Sequence, residues 1–387
     1  MDPLGVQDPD FMQDEELQIF ADSVDRFLDE YCTPEDQARW RQQQNVGREL
    51  WERAGAAGLS CLAIPAEYGG AGGDYRHEAV LMRRMGLKGA DNWGLSLHNA
   101  IVAPYILHYG SEEQKQRWLP KLASCEYIGA IAMSEPGAGS DLQGVRTTAK
   151  KDGNHYVING QKTFITNGQL ANLIVVVCKT DPSLGAKGTS LIVVETDDAP
   201  GFERGRNLHK LGAEGNDTSE LFFNEVRVPT SNLIGAVEGQ GFVQLMQQLP
   251  QERLNIAVQG IAAAERGFAE TVKYVKERKA FGKTVIEFQN TQFKLAEVKT
   301  KLTIGRVFTD HCIGLHLKGK LDPATASMAK YWCTDIQGET LDECLQLHGG
   351  YGYMAEYPIA QLYKDARVQR IYGGTNEIMK VLIARTL

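Results

Sequence analysis

The hydrophobic periodicity of this chain changes twice, and those two changes constrain the fold more than any single motif. From Asp14, "DEELQIFADSVDRFLDEY" places Leu17, Phe20, Val24, Phe27 and Tyr31 at three- and four-residue steps, the spacing of an amphipathic helix. "GRELWERAGAAGL" and "SEEQKQRWLPKLA" carry that pattern to about residue 127. Between about 128 and 240 the texture becomes short β-branched runs bounded by turn residues: "HYVINGQKTFITNG", "NLIVVVCKT", "TSLIVVETDD" and "SELFFNEVRVP". Asn-Gly at 159–160 and again at 167–168 predicts hairpin turns there. Helical periodicity returns from Gly241 in "LNIAVQGIAAAERGFAETVKYVKERKAF" and "PATASMAKYWCTDIQGETLDECLQL". The expected architecture is α+β and multidomain: an N-terminal α-helical domain (1–127), a central antiparallel β domain (128–240) and a C-terminal α-helical bundle (241–387). At 387 residues and 43% hydrophobic content, the chain exceeds what one core normally serves and has the apolar material for several.

Charge and cysteine usage narrow the function classes. With 41 Lys plus Arg against 49 Asp plus Glu, the net charge is −8, and no basic block provides a nucleic-acid footprint. The seven cysteines (32, 61, 125, 178, 312, 333 and 344) contain no CxxC pair and no metal-ligand spacing, which fits reduced thiols and no bound metal. The start, "MDPLGVQDPDF", has neither the basic nor the apolar region of a signal peptide, and no run of about 18 apolar residues occurs. A soluble cytoplasmic protein, bacterial-type or a mature matrix form, without an integral membrane segment is expected.

Two glycine-containing loops stand out. "IAMSEPGAGSDLQG" (Ile131 to Gly144) joins a strand-like run to a loop whose Gly137 and Gly139 amides could line up around an anion, although on local grounds a plain turn is the better reading. It lacks the βαβ context of a dinucleotide fingerprint and the Gly-Lys-Ser/Thr of a P-loop. In "IYGGTNEIMK", Gly373 and Gly374 precede a helix start at Thr375, as a tight connection between helices would.

In order, "AIPAEYGG", "AMSEPGAGSDL", "NGQKTFITNG", "ERKAFGK", "QLHGGYGY" and "IYGGTNEIMK" resemble the acyl-CoA dehydrogenases over essentially the whole chain, with "LPQERLNIA" closest to the long-chain branch. The resemblance implies non-covalent FAD, an acyl-CoA substrate, an electron-transfer flavoprotein as electron acceptor and a homotetramer. It assigns Ser134 and Thr166 to the flavin ring, together with Ile131, Met133 and Ile165 of the same motifs. Phe164 stands where many relatives have Trp. Gly139 and Ser140 match a position near the flavin pyrophosphate and the CoA end of the substrate. Arg278, Phe281, Gln289, Gln346, Gly349 and Gly350 match contacts to FAD held by a neighbouring subunit; Thr375 and Glu377 match further cofactor contacts, and Arg253 and Gly374 substrate contacts.

Oxidising a thioester across its α and β carbons requires a base close to the α proton. Most of the family keep a Glu immediately before the last Gly-Thr, and this chain has Gly373 there. Isovaleryl-CoA and long-chain dehydrogenases carry the base on a C-terminal helix instead, in a Glu-Arg pair that matches Glu252-Arg253. By itself Glu252 reads as an exposed helix-face charge; the absence at 373 makes it the expected base. Gly373 then retains only its amide, a donor toward the thioester carbonyl. Its missing side chain is expected to leave room for a long or branched acyl chain, and Pro250 to disturb the helix ahead of Glu252. Two alternatives remain: a catalytically silent flavin-binding module, which should lack both carboxylates, and an oxygen-using acyl-CoA oxidase, which commonly carries an additional C-terminal domain.

Overall fold

The computed structural model describes residues 4–387. Its first third is helical: α1 (Glu15–Tyr31), α2 (Pro34–Gln43), α3 (Arg48–Ala56), α4 (Tyr75–Lys88), the short α5 (Leu95–Leu97), α6 (Ala103–Tyr109) and α7 (Glu112–Ala123). The spacing of α1 is used as its period dictates, with Leu17, Ala21, Val24, Phe27 and Leu28 buried on one face. Thr33 and Ser111 open α2 and α7 with reciprocal capping boxes. Between α5 and α6, His98–Val102 forms a π turn. His98 is buried there: Nε2–H donates to the Leu122 carbonyl (3.0 Å) and Nδ1 accepts from the Gly129 amide (2.9 Å). Burial pushes its pKa down to about 4, so the ring stays neutral.

The middle of the chain forms a seven-stranded sheet of β1 (Gly129–Ala132), β2 (Thr148–Asp152), β3 (His155–Thr166), β4 (Leu173–Lys179), β5 (Thr189–Glu195), β6 (Phe202–Asn207) and β7 (Thr218–Pro229). Its order is β1-β4-β2-β3-β7-β6, with β5 on the other edge of β4. Most pairings are antiparallel, but β1 and β4 run parallel, Gly129 opposite Leu173. The long connection from 133 to 172 makes that possible, since parallel neighbours need a crossover rather than a tight turn.

The Asn-Gly expectation is corrected. The β2–β3 hairpin turns at Gly153-Asn154, between the paired Asp152 and His155, with Gly153 at φ +59°. Asn159-Gly160 lies inside β3, where the register with β7 slips between Ile158 and Gly160. A Cβ on Gly160 would stand 2.4 Å from Thr147 Oγ1, so this glycine serves close approach, not reversal. Asn167-Gly168 ends β3 in a turn that leads to no hairpin partner; the Asn167 side chain donates to the Gly94 and Gly129 carbonyls.

The last third comprises α8 (Gly241–Glu277), a small hairpin of β8 (Lys279–Ala280) and β9 (Lys283–Thr284), α9 (Gln289–Leu317), α10 (Pro323–Leu347), α11 (Pro358–Ala366) and α12 (Asn376–Ala384). Helix α8 runs unbroken through Pro250, contrary to the expected disturbance; proline forgoes its own N–H bond while its neighbours keep theirs. α8 packs against α4, α9, α10 and α11. Gly86 of α4 lets the backbones close up, since a Cβ there would meet Ala262 Cβ at 2.7 Å. Among the described residues, no helix is long and apolar enough to cross a membrane, and no His/Cys/Asp/Glu group is arranged to hold a metal. All seven cysteines are buried and free.

Candidate active site

Glu252 lies on α8 and is only 5% exposed, not on the exposed face that composition alone would favour. Tyr105 of α6 donates its hydroxyl to Glu252 Oε1 at 2.7 Å. Burial raises the Glu252 pKa to about 7, against the opposing pull of the Tyr105 hydrogen bond and the Arg253 charge. On either side of Glu252, Gln251 and Asn255 donate to one carbonyl, that of Ala100 in the π turn (2.8 and 3.2 Å). Tyr75 of α4 donates to Asn255 Oδ1 at 2.7 Å.

The last loop comes down on the same helix. Gly373 adopts φ +65°, and a Cβ built on it would stand 2.3 Å from Ile256 Cδ1, one helical turn beyond Glu252. The missing side chain therefore does not leave the open space expected from sequence; Ile256 fills it. The Gly373 N–H makes no hydrogen bond among the described residues. Lys330 of α10, fully buried, holds the loop by donating to the Gly374 carbonyl and to Asn376 Oδ1, both at 2.8 Å. Burial, then the nearby Arg253 charge, brings its pKa down to about 7. Arg253 is itself 5% exposed and reaches Ser327 Oγ at 3.4 Å. A buried carboxyl with its pKa raised to about 7, one helical turn from the residue under an unpaired amide donor, is suited to removing a proton adjacent to a carbonyl.

A second group of predicted residues gathers at the end of β3. Ser134 accepts from the Thr163 amide at 2.9 Å, which brings the Met133–Ser134 segment beside the strand. Lys162, wholly buried, fixes that segment from below, donating to the Met133 and Val177 carbonyls and to Glu135 Oε1 (3.0, 2.7 and 2.9 Å). Phe164 sits at φ +61°, where the β3–β7 register slips, and its ring is 69% exposed. Such a backbone costs about 1–3 kcal/mol and clusters at functional sites. Thr166 ends the strand opposite Thr218. Ile131 and Ile165 point into the core, so they offer only backbone to a ligand. Gly139 and Ser140 are exposed, and nothing lies within 4 Å of a Cβ on Gly137 or Gly139.

A third group surrounds a cleft of about 660 Å³ that includes Tyr274, Arg278, Gln346, Gly349, Gly350 and Tyr351. Arg278 caps the C-terminal end of α8, exposed, with its guanidinium 5.6 Å from the Tyr351 ring centroid. Phe281 tips the β8–β9 hairpin and is 94% exposed; Gln289 opens α9, also exposed. Neither lines the cleft, nor does any residue of the sheet. Within one chain, the β3 group and the Arg278 group occupy separate surfaces. Thr375 and Glu377 line a smaller cleft of about 180 Å³ with Asp335, Arg370 and Lys380.

Sequence reasoning missed Tyr105, Ile256 and Lys330. Tyr105 carries no local mark in "APYILHY", whereas a lone lysine within the otherwise uncharged "ATASMAK" run was a readable signal.

Comparison with known proteins decides the family. The acyl-CoA dehydrogenase N-terminal, middle and C-terminal domain models match residues 14–126, 130–226 and 239–387. This chain belongs to the acyl-CoA dehydrogenase family. It is 52% identical over 374 residues to the mitochondrial long-chain specific acyl-CoA dehydrogenase of Sus scrofa, spanning 96% of this chain and 86% of that one. An acyl-CoA dehydrogenase structure from Geobacillus kaustophilus superposes with a TM-score of 0.94 at 48% identity, covering 96% of this chain and 98% of that one. A structure described as an electron transferring flavoprotein of Acidaminococcus fermentans gives 0.92 at 34% identity, covering 98% and 99%. As an acyl-CoA dehydrogenase, the chain is a member of an oxidoreductase family of flavoproteins.

Proposed function

We propose that this acyl-CoA dehydrogenase converts a saturated acyl-CoA thioester, of the long-chain class, to the trans-2-enoyl-CoA, with Glu252 removing the α proton. The observation that carries the reading is Glu252 itself: a fully buried carboxyl with a pKa near 7, one turn from the residue on which Gly373 rests. A silent module has no need of such a group. The Gly373 amide donates to the thioester carbonyl and stabilises the negative charge that grows as the proton leaves. Arg253 and Gly374 contact the substrate. The substrate class is supported by the long-chain relative.

The residues present fit FAD. The exposed, strained Phe164 and the open glycines at 137 and 139 suit a flat ring and a phosphate chain, and the exposed Arg278 lining an open cleft suits a pyrophosphate. Ser134, Thr166, Met133 and the backbone of Ile131 and Ile165 would hold the ring, Gly139 and Ser140 the phosphate side, and Thr375 and Glu377 further contacts. Arg278, Phe281, Gln289, Gln346, Gly349 and Gly350 would serve a neighbour's cofactor. When bound, FAD supplies hydride acceptance from the β carbon and delivers the electrons to an electron-transfer flavoprotein. The separated surfaces support an assembly in which neighbouring chains complete each other's site, a homotetramer on the family resemblance, and exposed apolar residues on α9 and α10 (Phe293, Ile304, Val307, Met328 and Trp332) support it further.

The purified protein is expected to be yellow, and anaerobic addition of saturated acyl-CoA to bleach its flavin absorbance, most completely with long chains. No bleaching across a series of straight and branched thioesters would overturn the reading. Arg278→Ala removes a phosphate partner, so its flavin content after extensive dialysis should fall well below wild type. Equal retention would make Arg278 an ordinary surface charge.

A further inference from the structure

We propose that Tyr105 is a positioning residue for Glu252, holding one carboxylate oxygen so that the other faces the substrate and keeping the group ionised for proton abstraction. The inference rests on the reading of Glu252 as the base. Its geometric ground is a built arrangement. The Tyr105 hydroxyl engages Oε1 at 2.7 Å, and Oε2 accepts no hydrogen bond among the described residues. Both partners are buried, Tyr105 completely, in the core cluster that also holds Val102, Ala103, Ile106 and Leu245. Gln251 and Asn255, flanking Glu252, fasten α8 to the Ala100 carbonyl five residues ahead of Tyr105. The two helices that carry the pair are thus locked to each other next to it.

A hydroxyl donating to a carboxylate makes a charge-assisted bond, stronger than the one it makes to the protonated acid. Burial drives Glu252 toward its neutral form, which cannot act as a base, and Tyr105 works against that. Tyr105 on α6 and Arg253 on α8 act on the carboxyl; beyond them Tyr109 of α6 faces Tyr105, and Lys330 of α10 faces Arg253 and the loop at 374–376. Tyr105 alone among them hydrogen-bonds Glu252. Its removal should therefore raise the titration midpoint of Glu252, leaving less base at neutral pH and nearly full base at alkaline pH.

The test is Tyr105→Phe, which removes one oxygen and keeps the ring in its packing. Stopped-flow flavin bleaching is followed from pH 6 to 9 in wild type, Tyr105→Phe and Glu252→Gln. In parallel, pH-difference infrared spectra of the substrate-free protein follow the carboxyl band that Glu252→Gln abolishes, a readout that neither Lys330 nor the reaction contributes to. In Tyr105→Phe both midpoints should move up together by about one pH unit. Ionisation at pH 7 then drops from about half to about a tenth, slowing bleaching roughly fivefold, with recovery toward the wild-type rate by pH 9. Unmoved midpoints in Tyr105→Phe, with Glu252→Gln still slow, would overturn the role of Tyr105 and leave the base standing. Wild-type rates in Glu252→Gln would overturn both.

Discussion

Glu252→Gln should slow anaerobic flavin bleaching by roughly 10²- to 10⁴-fold, the range that a general base supplies, while flavin content and binding of product-like thioesters persist. The amide keeps the shape of the side chain and can still accept from the Tyr105 hydroxyl, so the packing around α6 and α8 is preserved. Only the capacity to take the proton is lost. The same substitution should act on stability in the opposite direction. A carboxyl whose folded pKa is raised from 4.5 to about 7 costs the folded state almost nothing below about pH 4.5 and progressively more up to about pH 7, above which both states are ionised and the cost is constant. Integrated over that interval, the cost approaches roughly 3 kcal/mol. Glu252→Gln never ionises, so its Tm should exceed that of wild type at pH 8 and match it near pH 4.5. A wild-type bleaching rate would remove Glu252 as the base; a Tm below wild type at pH 8 would contradict the buried, reluctant ionisation.

Moving the base to the last loop should succeed only when the helix beneath it gives way. In Glu252→Gln combined with Gly373→Glu, we expect no more activity than in Glu252→Gln alone. A side chain at φ +65° is strained by about 1–2 kcal/mol, and its Cβ would stand 2.3 Å from Ile256 Cδ1. Ile256→Val deletes that atom, and the next contact, Cγ1 at 3.8 Å, is ordinary packing. The triple variant with Ile256→Val should therefore bleach at least about tenfold faster than the double, short of full recovery because an ångström of misplacement is costly in catalysis. Rescue in the double variant would show that Ile256 yields freely. Failure of the triple would show that a carboxylate at 373 cannot reach the α carbon.

The order helices, sheet, helices was readable because each segment keeps one period over many residues, as α1 does from Leu17 to Leu28. Turn positions were less readable, since Gly153-Asn154 and Asn159-Gly160 carry similar local chemistry and only the approach of Thr147 separates their roles. The parallel pairing of β1 and β4 has no local signature at all. At the site, the motifs pointed to Glu252 through family likeness, but its burial did not follow from a charged residue in "LPQERLNIA". Tyr105, Ile256, Lys330 and Gly373 meet from four distant segments. What each does depends on contacts that no window of sequence contains, including the one that refuted free space at 373.

The π turn at His98–Val102 acts as a phase adjuster between two fixed obligations. At its first residue, His98 must face Leu122 and Gly129 to seat the first strand; behind it, Tyr105 must face α8. An ordinary helix advances about 100° per residue, so deleting one residue from this turn would swing one end by about that angle relative to the other. Either the histidine or the tyrosine would then lose its partner. A change of length here would therefore be felt even at positions whose side chains are interchangeable, and the length of the segment, more than its composition, couples the seating of the sheet to the aim of α8.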